Sequence, residues 1–516
     1  MQSNQDISAE PINKKKQLQE YDQQMIQLFQ DQVNDGILEI YNNQEITNLD
    51  FIQNLYLYKL QLNKCYNIEQ NITNDTIKEL TFDRCGFQNV LGLKLNNLEI
   101  LCLREEQIDD TQNILIKMST SPYFSKLREF ELSGHLSQND IEMSGQLSTK
   151  QLKDKSLSNL VKLTLENNDI TNTDVISQLI NLEELDLSRN MYINISPIQY
   201  LTKLTKLTKL SLESCELTDI QDLSKLPKLI DLNLSLNEGI DISPLSHLTQ
   251  LVRLDLYCCS LVGIPQQLEN SELDYPQFLD NSINKLSLLS SLINLKDLYI
   301  SSNNIDDINP LYQLVKLTIL NISYSKVKDF SVLRKLTNLE VLNMSFNSNA
   351  DITPLQYLVK LRKLELWHCN LYDIYALRPL INLQKLILSN NFIHDISPLC
   401  SLNNLIELYL NENIITDFSS VKQHINLHQF QIEDQIKDQY MPTIKEQKIY
   451  KKIQIIDTST ILLRNTSRQR KQITARVNHM KEQISQCLFN LNNNHLQFSR
   501  NVISIFQQLD TGESCQ

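Results

Sequence analysis

A chain of 516 residues with 41% hydrophobic and 21% charged side chains and only 8 Gly is neither a disordered segment nor a collagen-like fibre. It is long enough for several compact domains or for one extended array. Its net charge of −13 is unevenly spread: eleven Lys/Arg against three acids (Glu446, Asp457, Glu482) give residues 439–500 a charge of +8, leaving about −21 elsewhere.

The chain opens MQSNQDISAEPINKKKQLQE, without the apolar run of a signal peptide. No stretch approaches 18 uninterrupted apolar residues, so no membrane-spanning helix is expected. The ten Cys then read as reduced thiols of a cytoplasmic protein, with the nucleus also open. The first predicted element is a helix over 12–33, where Leu18, Tyr21, Met25, Ile26, Leu28 and Phe29 recur at roughly helical spacing. Residues 1–34 are therefore read as a polar segment and a capping helix.

From residue 35 a repeat takes over. It is irregular through 159, with copies around Leu57, Ile77, Leu98 and Leu127, and regular over 160–435. Regular copies begin at Leu160 and Leu182, and from Leu207 to Leu427 they advance in ten steps of 22. The copy at Leu273 is degraded, and three extra residues lie within TKLTKLTKL (202–210). Each copy is named below by the number of its first residue.

The template is L-x-x-L-x-L-x-x-N/C-x-I-x-D-I-x-P-L-x-x-L-x-x. Leu at positions 4 and 6 alternates with polar residues, the pattern of a strand with one buried face. A single copy cannot bury that row alone, so neighbours must stack. Position 9 is Asn at Asn168, Asn190, Asn237, Asn281, Asn303, Asn347, Asn391 and Asn413, and Cys at Cys65, Cys85, Cys215, Cys259 and Cys369. Those five Cys thereby fall in a structural slot. Position 16 is Pro in five copies, each preceded by Ser, Thr or Asn, which reads as an N-cap before the first residue of a short helical turn. Position 13 is Asp in eight copies, Asp219 to Asp417, each expected to accept backbone N–H groups of its own turn. A ladder of bound calcium ions would call for Gly-rich turns that this chain lacks.

The pattern resembles the leucine-rich repeat, specifically the 22-residue kind of internalins and of nuclear phosphatase regulators, and is similar to repeat proteins of single-celled protists. The resemblance covers roughly residues 35–435. It implies an α/β solenoid with a parallel sheet on the concave side, helical or 3-10 turns on the convex side and helical caps. It also implies non-catalytic recognition of a protein partner through the concave face.

No phosphate-binding Gly loop, nucleophile elbow or zinc-protease motif is present, so no catalytic residue, cofactor, metal or small-molecule substrate is expected. His394, Asp395, Ser397 and Cys400 crowd together, but each sits on the convex return of a copy. Positions 3, 5, 7 and 8 point onto the opposite, concave surface. There the candidate partner-binding residues are Arg253, Tyr257, Asp297, Tyr299, Tyr324, Phe346, Trp367, His368, Glu407 and Tyr409. With Tyr275 they would form a continuous aromatic stripe of the type that dominates interfaces.

Residues 436–516 form a basic, helix-patterned C-terminal region. Ile473, Val477, Met480, Ile484, Cys487 and Leu491 step by four and three along one face. A helical hairpin on the last copy and a short coiled coil both fit this spacing. Two alternative functions stay open beside the scaffold: a regulatory subunit of a phosphatase, and an adaptor using the basic region to bind nucleic acid or an acidic partner.

Overall fold

A computed structural model describes residues 27–431, apart from 31, 44–45, 47–48, 66–70, 107, 109–113, 135–156, 169, 171–172, 191–195, 218, 260–283, 304, 422–423 and 425. Seventeen strands form one sheet in which each copy pairs in parallel with the next. The register keeps equivalent positions opposite one another, as in Asp231↔Arg253 and Lys363↔Lys385. Alternation along each strand sends position 4 and 6 side chains inward; Leu254 and Leu256 are both fully buried. Copy 361 shows the whole core row: Leu361, Leu364, Leu366, Leu371, Ile374, Leu377 and Leu380 are each at most 4% exposed. At about 2 kcal/mol per buried aliphatic side chain, rows like this hold the stack together.

The return from most strands is a 3-10 turn, for example Ser243–His247, Thr353–Tyr357 and Ser397–Ser401, each with Pro in its first turn, while Ile114–Ser119 and Ser196–Leu201 are short α-helices. The expected N-cap role of the Ser or Thr is not what the structure shows. Those residues lie inside the turn and their side chains cap nothing. Position 13 does the capping: all eight Asp carboxylates, from Asp219 to Asp417, accept the backbone N–H of position 15 at 2.8–3.1 Å. The N–H of Ser397 holds the Asp395 carboxyl below the usual range.

Position 9 stitches copies together. Asn237 Oδ1 accepts the N–H groups of Cys215 and Leu217 in the preceding copy, while its Nδ2 donates to Leu212 O, also in that copy. Cys in the slot donates through its thiol only, as Cys259 does to Leu234 O at 3.1 Å. Burial pushes the Cys215, Cys259 and Cys369 thiols up to about 12, far from reactive thiolates. Copy 98 puts Glu106 in this slot, which the template does not anticipate. Its carboxylate takes the N–H groups of Cys85 and Phe87 at 2.7 and 2.6 Å, and burial raises it to about 7.

A second ladder, at position 22, runs along the edge before the strands. Asn338, Asn382 and Asn404 donate to the position 21 carbonyls of the preceding copies, and Lys316 and Lys360 donate to Asn294 and Asn338.

Copy 273 requires a correction. The ladder passes directly from Arg253–Asp255 to Asp297–Tyr299. Asn303 completes the step by accepting Cys259 N–H and donating to Leu256 O. The copy therefore supplies no strand between its neighbours. Pro276 stands at its position 4, with no N–H for a ladder and no Leu for the core. Tyr275 and Asn281 lie outside the described residues.

At the N-terminal end residues 27–30 are helical, and Phe29 is buried against Phe51 with ring centroids 5.4 Å apart. The rest of the expected N-terminal helix, and the helices of the C-terminal region, lie outside the described residues. No helix among the described residues is long and apolar enough to cross a membrane.

Candidate functional site

The outer face of the sheet is built from positions 3 and 5 of each strand and from positions 7 and 8 just beyond it. Position 8 is left-handed in every described copy from 160 to 405, with φ between 51° and 60°, and none of these residues is Gly. Most L-residues pay about 1 kcal/mol for that conformation, and Asn tolerates it best. Asn fills the slot at Asn167 and Asn390, but copies 317, 339 and 361 place Tyr324, Phe346 and His368 there. Three bulky rings are thus held in succession at a position that is left-handed throughout the array.

Those rings meet. Tyr324 and Phe346 stack with centroids 3.9 Å apart, and Trp367 meets Phe346 edge-on at 4.6 Å. His368 lies 5.1 Å from Phe346. Tyr324 is 46% and Trp367 38% exposed, so the cluster is open to solvent. The strands leading into Tyr324 and Phe346 are uncharged, whereas the one before Trp367 and His368 carries Lys363 and Glu365. Of the copies from 160 to 405, only 317 and 339 lack Asp, Glu, Lys and Arg at all four face positions, carrying Ile319, Asn321, Ser323, Tyr324 and Val341, Asn343, Ser345, Phe346. Asn321 and Asn343 accept the N–H groups of Ser323 and Ser345, fixing the turn that lifts the rings.

Charged groups flank this window on both sides. Toward the N-terminus, Arg253 stands over the Tyr299 ring at 4.6 Å, donates to its hydroxyl at 3.0 Å and pairs with Asp231 at 3.5 Å. Burial raises the Asp231 and Asp255 carboxyls there despite Arg253. Asp297, on the strand next to Arg253, accepts from Thr318 Oγ1 at 3.2 Å, and Tyr257 is 42% exposed. Toward the C-terminus, Lys385 pairs with Glu407 at 2.5 Å and lies 5.4 Å from the Tyr409 ring centroid, and Tyr409 donates to Glu407 at 3.3 Å.

The ten candidate residues thus fall into three groups rather than one stripe: Arg253, Tyr257, Asp297 and Tyr299; Tyr324, Phe346, Trp367 and His368; Glu407 and Tyr409. Lys385 belongs with the last group, although it is not among the ten candidates. Its signal was a cation directly across the ladder from Glu407. The basic segment behind the nucleic-acid alternative lies outside the described residues, and no residue described here favours the phosphatase alternative. Among the described residues no His, Cys, Asp and Glu gather closely enough to hold a metal ion.

The family model for leucine-rich repeats (two copies) matches residues 315–357 and 381–423, which include Tyr324, Phe346 and Tyr409. No curated protein matches the chain by sequence. Among solved structures, an internalin of Listeria monocytogenes is 26% identical, over 60% of this chain and 84% of its own, with a TM-score of 0.46. A leucine-rich-repeat protein of Leptospira interrogans is 21% identical over 65% of this chain and 91% of its own, with a TM-score of 0.45.

Proposed function

Starting from a chain that carries leucine-rich repeats and folds as their solenoid, we propose that it is a non-catalytic scaffold that binds a protein partner on the outer face of its sheet. The contact centres on Tyr324, Phe346, Trp367 and His368. The observation that carries this reading is the ring cluster itself: open to solvent, seated around left-handed positions, with Tyr324 and Phe346 on the only two copies from 160 to 405 that carry no charge at the four face positions. An apolar, aromatic centre with a charged rim is the anatomy of a specific interface. The flanking Arg253–Tyr299 and Lys385–Tyr409 groups would set orientation through their charges.

The reading is tested by placing a photo-crosslinking phenylalanine analogue at position 346 and, separately, at exposed Tyr357 on the other side of the repeat. Partner adducts from 346 and none from 357 are expected. Adducts from 357 alone would move the interface to the opposite side of the molecule.

A further inference from the structure

Every position in a repeat protein has its own internal controls, the same position in the other copies. On the side away from the sheet, departures from the template converge at one place, between copies 339 and 361. Copies 229 and 339 share a variant turn in which position 11 is left-handed, Gly239 with φ 76° and Asn349 with φ 59°. Both donate their N–H to the position 9 carbonyl of the copy at 251 or 361, Cys259 or Cys369, at 3.0 Å. This variant turns position 12 inward. Copy 229 fills the space with Ile240, fully buried, whereas copy 339 has only Ala350. In copy 361, position 16 is Ala376 rather than the commonest Pro, and position 15 is Tyr375 where five copies have Ser196, Ser243, Ser331, Ser397 and Ser419. Position 12 of that copy is Tyr372.

The result is an open cavity of about 500 Å³, with Ala350 and Ala376 in its lining beside Tyr372 and Tyr375, which are 54% and 62% exposed. Tyr372 is braced by stacking on Phe392 at 5.2 Å. Asp351 and Asp373 also line the cavity, each using one carboxylate oxygen on its own turn, and no Lys or Arg does. Arg378 stands over the Tyr375 ring at 5.9 Å and donates to its hydroxyl at 3.4 Å, from outside the lining.

We propose that this cavity is a second binding site, distinct from the sheet face and independent of its assignment, which takes an arginine side chain of a partner polypeptide. Aromatic rings attract a guanidinium, two carboxylates complement its charge, and the volume vacated by the two alanines accommodates its aliphatic stem.

The test uses the full chain with 13C-methyl alanine, titrated with acetyl-arginine amide and with the neutral citrulline analogue. Saturable shifts of the Ala350 and Ala376 methyls are expected with arginine, with citrulline about tenfold weaker. Ala350→Ile, which restores the residue of copy 229, is expected to abolish the Ala376 shift. Tyr375→Ser, which restores the common turn residue, should do the same and serves if the isoleucine disturbs folding. Equal response to citrulline, no shift at either methyl, or a shift that survives in a folded variant would overturn the proposal.

Discussion

Arg253 lies over the Tyr299 ring and donates to its hydroxyl at 3.0 Å, although the two residues are 46 positions apart in the chain. Two template lengths separate their strands, yet the strands are direct neighbours. Deleting residues 261–282 would join Ser260 to Ile283 and keep every later residue at its template position. We expect this deletion to leave the sheet intact and to change unfolding free energy by only about 1 kcal/mol, since closing a shorter loop costs slightly less entropy. Thermal unfolding followed by circular dichroism checks this; loss of the cooperative transition would show that the segment is structurally required.

Phe346→Asn separates folding from binding. Asn relieves about 1 kcal/mol of left-handed strain at φ 60° and forfeits about 1 kcal/mol of ring contacts with Tyr324 and Trp367. Stability should move by less than about 1 kcal/mol while partner affinity falls at least about tenfold. Denaturant unfolding and a binding titration with the crosslinked partner read the two quantities.

The position 9 ladder should be sensitive in graded fashion. Asn237→Ala strips partners from four buried backbone groups, the N–H of Cys215 and Leu217 and the carbonyls of Leu212 and Leu234. At about 1 kcal/mol each this is a loss of about 3–4 kcal/mol. Asn237→Cys keeps a thiol donor, as Cys215 and Cys259 do natively, and should lose about half as much. If both variants unfold at the same urea concentration, the ladder is not what holds adjacent copies.

Opposite pH dependences are expected at two buried groups. Glu106 is raised from 4.5 to about 7 by burial, so its contribution is fully present below pH 4.5 and is lost as pH rises through 7, on the order of 2–3 kcal/mol. Glu106→Gln should therefore stabilise the protein at pH 8 and change little at pH 4.5. His424 occupies the position 20 slot where copies 295 to 383 have Leu, is 2% exposed, and is lowered by burial. Its contribution is present above pH 6.5 and is lost as pH falls below it, so His424→Leu should stabilise toward acid. Unfolding midpoints of each variant between pH 4.5 and 8 test both signs; a flat difference from wild type across that range would contradict the assignments.

Much of this architecture was legible because the repeat repeats. Leu at positions 4 and 6 gave the strands, Asn and Cys at position 9 the stitching, and Asp at position 13 the turn. Copy 273 misled because its length is correct, so the numbering runs on undisturbed while Pro276 removes the ladder donor. Glu106 escaped because the slot asks for an acceptor of two N–H groups, which a carboxylate satisfies as well as an amide does. The grouping of the aromatics was hidden because it depends on which ring leaves the strand at position 5, 7 or 8. Only backbone geometry tells that the left-handed position 8 brings Tyr324 and Phe346 face to face.

The ladder's direct step from Asp255 to Asp297 also fixes a dimension. Strands in a sheet stand about 4.8 Å apart, so Tyr299 and Tyr409, five strands apart, are separated by roughly 24 Å along the sheet. By the same count, omission of one strand brings Asp231 and Arg253 about 5 Å nearer to the ring cluster than the repeat arithmetic implies. A ligand long enough to touch both flanking tyrosines must match that gauge, and restoring a strand at copy 273 would lengthen the reach from Arg253 to Trp367 and part Arg253 from Tyr299.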